Sequence, residues 1–109
     1  MSDEAMKVSE FQRLIEQIYL ERDRRRGLGG TFMWFCEETG ELAQALRVGD
    51  AAQLRAEFAD ALAWLATLAS IAGVDLEAAA RDKYASGCPK CAAIPCRCEE
   101  VAGPCRGES

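Results

Sequence analysis

Glu38 and Glu41 stand three residues apart, and so do Glu57 and Asp60. On a helix that spacing puts each pair on one face. Two such helices side by side would bring four carboxylates together. Unneutralised carboxylates repel one another, so the arrangement makes sense mainly with a cation among them. The 109 residues include no histidine. That excludes Ser-His-Asp and Cys-His catalysis, imidazole-ligated zinc hydrolases and the Glu-x-x-His di-iron bundle. A carboxylate-only set favours a hard cation, Mg²⁺ with Mn²⁺ as a substitute.

A lone acid pair at this spacing is ordinarily a solvated helix face. Here two pairs share one setting. Phe32, Phe35, Leu42 and Leu46 form an apolar stripe on a helix expected from Thr31, as its cap, to about Val48, with Glu38, Glu41 and Trp34 on its flank. Leu54, Phe58, Ala61, Leu62, Leu65 and Leu68 form the stripe of a helix over about Ala52–Ala72, with Glu57, Asp60 and Trp64 on its shoulder. No lysine or arginine lies between Glu37 and Leu46 to neutralise the first pair. Acids are normally depleted beside an apolar seam, and two matched exceptions point to a functional site.

The short link Gly49-Asp50-Ala51 makes these two helices antiparallel neighbours. Before them, Val8, Phe11, Leu14, Ile15, Ile18 and Tyr19 recur at helical spacing, with Ser9 as the expected N-cap and Gln12 facing outward. That helix is expected to stop at Gly27, Gly29 and Gly30 after the cluster Arg24, Arg25 and Arg26. The arginines suit a helix C-terminus; on a Gly-rich loop they could also close over an anionic ligand. A fourth helix is expected from Asp75 to about Tyr84. The fold class is therefore all-α, an antiparallel bundle of about four helices. Alanines 56, 59, 63 and 66 offer a further face for close packing, and a core this small is expected to be completed by oligomerisation.

From Gly87 the composition changes. Cys88, Cys91, Cys96 and Cys98 follow the pattern Cys-x₂-Cys-x₄-Cys-x-Cys, sufficient for a structural Zn²⁺ site, with free thiols or a redox role as the other readings. Cys105 is left over, and Cys36 is expected to pack within its helix. Two domains are expected, 1–86 helical and 87–109 Cys-rich. Residues 1–6 are expected to be a loose start, and Glu99–Ser109 disordered except where held.

The string Phe32-Met-Trp-Phe-Cys-Glu-Glu-Thr-Gly-Glu-Leu-Ala-Gln-Ala-Leu46, followed by Glu57-Phe-Ala-Asp-Ala-Leu-Ala-Trp-Leu65, resembles the MazG-like nucleotide pyrophosphohydrolases of the all-α nucleoside-triphosphate pyrophosphatase superfamily. Their signature, Glu-Glu-x-x-Glu and then Glu-x-x-Asp, is met by Glu37, Glu38, Glu41, Glu57 and Asp60. The resemblance covers about residues 8–86. It implies hydrolysis of a nucleoside triphosphate to the monophosphate and pyrophosphate. It also implies Mg²⁺ at Glu38, Glu41, Glu57 and Asp60, a water handled by Glu37 or Glu38, and a homodimer or homotetramer. Lys83, Arg24 and Arg25 become candidate phosphate contacts, and Trp34 and Trp64 candidate platforms for a base, with core or interface packing the plainer role for each tryptophan. The phosphoribosyl-ATP pyrophosphohydrolases share the fold, so a biosynthetic substrate stays open. A non-catalytic nucleotide or metal binder, or an oligomeric interaction module, is the alternative for the same residues.

The net charge of −5 argues against a general nucleic-acid binder. No apolar run reaches the roughly 20 residues needed to span a bilayer, so no membrane partner is expected. The polar start lacks the layout of a signal peptide. The expected location is cytoplasmic, where cysteines are free or metal-bound more often than disulfide-paired.

Overall fold

The computed structural model describes residues 5–98; the expectations for residues 1–4 and 99–109, Cys105 included, lie outside the described residues. Among the described residues, three helices and no strand make the protein all-α: α1, Val8–Val48; α2, Ala51–Ala72; and α3, Leu76–Tyr84. The chain divides into two compact units, Met1–Leu76 and Glu77–Ser109. The domain boundary expected at Gly87 falls inside the second.

The helix breaks at the first of the glycines expected to end it: the span Val8–Val48 is two helical segments joined across a kink at Gly27. Gly27, at φ 81° and ψ 173°, is the one non-helical residue inside α1. Glycine reaches positive φ without a Cβ clash, so the chain kinks there and resumes its helix at once. Among the described residues three helices are counted, α1 carrying the kink at the expected break, and Arg24, Arg25 and Arg26 close its first segment. Thr31 is not a cap; it lies inside α1 and is fully buried. Nor does Ser9 cap the start. Lys7 is the N-cap, and its backbone N–H donates to Glu10 Oε1 at 2.7 Å, the reach-back half of a capping box.

α2 starts on Asp50, whose carboxylate accepts the Gln53 N–H at 2.8 Å, a standard N-cap interaction. It ends at Gly73. Only Gly49 and Asp50 separate α1 from α2, and side-chain pairs run in antiparallel order along both. Trp34 meets Trp64, Asp23 meets Thr67, and Glu16 meets Ser70. At the far end Gln12, expected to face outward, is buried. Its Nε2 donates to Ser70 Oγ at 3.1 Å and to the Val74 carbonyl at 2.8 Å, and its Oε1 accepts the Leu76 N–H at 2.9 Å. A buried amide satisfied this fully fastens the start of α1 to the end of α2.

The seam between α1 and α2 is rotated from the expected one. On α1 the inward positions are Thr31, Phe35, Glu38, Leu42 and Ala45; on α2 they are Leu54, Glu57, Ala61, Trp64, Leu68 and Ile71. Both follow the alternating three- and four-residue step of packed helices. Phe32, Leu46, Phe58, Leu62 and Leu65, assigned to the seam from periodicity, face out, and Phe32 and Phe58 are 53% and 52% exposed. Ala45, at the end of the α1 seam, is buried, and a side chain this small lets the helices approach closely beside the link.

Candidate active site

The rotation carries Glu38 and Glu57 from the flank of the seam into it. Glu38, Glu41 and Glu57 each present a carboxylate oxygen within 4.8 Å of the others. Glu38 Oε2 and Glu57 Oε1 are buried with no hydrogen-bond partner. As ionised groups they can only accept, and nothing in reach donates. Burial, then the Glu41 and Glu57 carboxylates and the charge of Asp60, push the Glu38 carboxyl up to about 7. A proton on Glu38 or a cation among the three relieves the same strain. The donor set is oxygen only, which fits Mg²⁺ or Mn²⁺.

Asp60 stands close enough to act electrostatically on Glu38, but its carboxylate is not one of the three that converge. Glu37 is exposed and also outside the trio. Of the four acids expected to share a cation, the hairpin therefore brings three to a point and keeps the fourth at its edge.

Asp60 also borders a groove of about 260 Å³ lined by Ile15, Tyr19, Arg22, Asp23, Arg26, Ala63, Trp64 and Thr67. The Trp34 and Trp64 rings stack with centroids 6.1 Å apart and planes 10° from parallel. Trp34 is 50% exposed while Trp64 is half-buried in the seam. The Arg26 guanidinium carbon lies 4.9 Å from the Trp64 ring centroid, a cation–π distance. Arg26 Nη1 also donates to Asp23 Oδ1 at 2.9 Å and to Thr31 Oγ1 at 3.4 Å. Thr67 Oγ1 donates to Asp23 Oδ2 at 3.1 Å.

Arg24 and Arg25 are exposed, and Arg26 alone of the three turns inward. Asp23, 5% exposed, reads in the sequence as one acid in an arginine run. The available signal was Gly30, one helical turn beyond Arg26. A Cβ there would lie 2.8 Å from Arg26 Cγ, so the glycine leaves the arginine stem its path to Trp64. In the second unit Lys83 lies with Nζ 5.9 Å from the Tyr84 ring centroid.

The four cysteines of that unit also converge, their sulfurs all within 4.8 Å of one another. Backbone N–H groups of Cys91 and Lys90 hold the Cys88 thiol down to about 6, and burial pushes the Cys98 thiol up. Cys36, expected to be packed, is exposed. On this helix it lies opposite the rotated seam.

An all-α hairpin with acids at the centre of its seam could hold a metal ion between its helices. A family model, the MazG nucleotide pyrophosphohydrolase domain, matches residues 30–92, more than half of the 109, and the chain belongs to that family. The match takes in α1 beyond its kink, all of α2 and α3, and the first two cysteines of the four. No curated protein matches the chain.

Proposed function

We propose that the protein hydrolyses nucleoside triphosphates to the monophosphate and pyrophosphate in a Mg²⁺-dependent reaction. The observation that carries this reading is the pair of buried, unpartnered oxygens on Glu38 and Glu57, beside Glu41, in a nucleotide pyrophosphohydrolase domain. Acids left this way are costly unless something positive is held there. Glu38, Glu41, Glu57 and Asp60 would hold the metal. Mg²⁺ bound there supplies the positive charge a polyanionic substrate needs at an acidic site, and the acidity a hydrolytic water needs.

The remaining roles fall to the chain itself. Glu37 is exposed and outside the converging trio, so it is the residue assigned to orient the water and take its proton; Glu38 is the other candidate. The groove beside Asp60 receives the nucleoside, with Trp64 and Trp34 offering the aromatic surface and Arg26 its charge. Arg24, Arg25 and Lys83 are the proposed phosphate contacts.

The outward stripe of Phe32, Leu46, Phe58, Leu62 and Leu65 supports a homo-oligomer, dimer or tetramer. It runs along both helices of one hairpin, and a second copy offers the matching apolar surface.

The test is a panel of ordinary and modified nucleoside triphosphates with and without Mg²⁺. Pyrophosphate release that requires Mg²⁺ is expected from at least one. Orthophosphate as the sole product, or no turnover across the panel, overturns the assignment and favours a protein that binds nucleotide without cleaving it.

A further inference from the structure

We propose that Cys88, Cys91, Cys96 and Cys98 bind one Zn²⁺, and that this ion takes the place of a hydrophobic core in the segment that carries them. The inference is independent of the catalytic reading. The match to the family domain ends at residue 92, between the two halves of the cysteine set.

The geometry is that of a metal knuckle. Cys88 and Cys98 sulfurs are 3.4 Å apart, and those of Cys91 and Cys96 are 4.0 Å apart. A disulfide needs about 2.05 Å, and none of the four is in a disulfide. Tetrahedral zinc with bonds of about 2.3 Å sets its sulfurs about 3.8 Å apart, between the two observed distances. The backbone closes around the first pair: the Ala92 N–H donates to the Cys88 carbonyl at 2.6 Å and the Cys88 N–H to the Ala93 carbonyl at 3.1 Å. Gly87, at φ 109°, leaves this turn its space, since a Cβ there would lie 2.9 Å from Ile94 Cγ1.

The sulfurs are also supplied with donors as thiolate ligands are. The Arg97 N–H reaches Cys91 Sγ at 3.3 Å and the Cys98 N–H reaches Cys96 Sγ at 3.3 Å. Such bonds orient a ligand and spread its charge. Buried packing in the segment is sparse among the described residues. α3 has no buried residue, and from Glu77 to Cys98 the only buried side chain among the described residues is Cys98 itself. A segment this short, turned back on itself without apolar packing, is where a structural metal contributes folding energy outright. Soft sulfur and hard oxygen also sort two metals between two places: thiolates select zinc, and the Glu38 cluster suits Mg²⁺.

The full chain, purified under reducing conditions, is expected to contain about one Zn²⁺ per molecule by elemental analysis. Cys91→Ser and Cys98→Ser should each lose it, whereas Cys36→Ser and Glu38→Gln keep it. Apo protein titrated with Co²⁺ should develop a thiolate-to-cobalt charge-transfer band and the intense visible bands of tetrahedral coordination. This second measurement uses the unmutated chain and holds even if a cysteine variant fails to fold. A reduced chain without zinc and without the cobalt bands overturns the proposal. So does zinc that survives both cysteine substitutions or departs with Glu38→Gln.

Discussion

Glu38 and Glu57 face each other across the α1–α2 hairpin, each with one carboxylate oxygen buried and unpartnered. They occupy seam positions whose neighbours one turn away are Leu42 and Ala61. In an ordinary hairpin both would be apolar. Removing one charge therefore improves packing electrostatics while removing a metal ligand. Glu38→Gln is expected to raise the thermal midpoint of the metal-free protein near pH 8, to abolish the extra stabilisation given by Mg²⁺, and to end pyrophosphate release. Calorimetry with and without Mg²⁺ reads the first two. A variant that is less stable without metal, or that retains full turnover, contradicts this role.

Protons and metal compete for the same oxygens. The Glu38 carboxyl is raised from 4.5 to about 7, so the folded state holds its proton more tightly than the unfolded chain. Its contribution to stability is fully present below about pH 4.5 and is lost as pH rises through about 7. The midpoint of the metal-free protein should fall over that window. Mg²⁺ affinity should rise over the same window, with proton release on binding, detectable by titration calorimetry in buffers of different ionisation enthalpy. Affinity independent of pH across it would remove Glu38 from the ligand set.

Arg26 reaches Trp64 over a glycine. Gly30→Ala places a methyl 2.8 Å from Arg26 Cγ, so the guanidinium is expected to leave the ring and loosen its bond to Asp23. Tryptophan emission should change in the same sense as in Arg26→Ala, and the midpoint should fall by the equivalent of about 1–3 kcal/mol as Asp23 loses its charged donor. With the groove proposed to hold the nucleoside, KM should rise in both variants by more than kcat falls. Unchanged emission in Gly30→Ala would show that the arginine does not depend on that space.

Phe58 and Leu62 lie on the outward stripe, away from the acids. Phe58→Asp is expected to convert the assembly to monomers in sedimentation while the helical circular dichroism signal of α1 and α2 persists. If the unsubstituted chain already sediments as a monomer, the stripe has another partner.

Much of this molecule is legible in the chain without coordinates. Helical periodicity located α2 and α3 to within a residue or two, and a link as short as Gly49-Asp50 can only reverse direction. The acids at 38, 41, 57 and 60 declare their shared faces, and the cysteines declare their grouping. These depend on neighbours within a turn or so, which local spacing determines.

The tertiary structure decided which face of each helix turns inward. Both helices carry two overlapping stripes, one through Phe32 and Leu46 or Phe58, Leu62 and Leu65, and one through the seam positions that include Glu38 or Glu57. Local periodicity does not choose between them; contacts between residues far apart in the chain do. That choice moved Glu38 and Glu57 into the seam and buried Gln12. It also left Cys36 and Phe58 exposed and set Trp34 against Trp64. The order of the residues determined that acids would meet; packing between residues far apart in the chain determined that they would meet without a counter-charge.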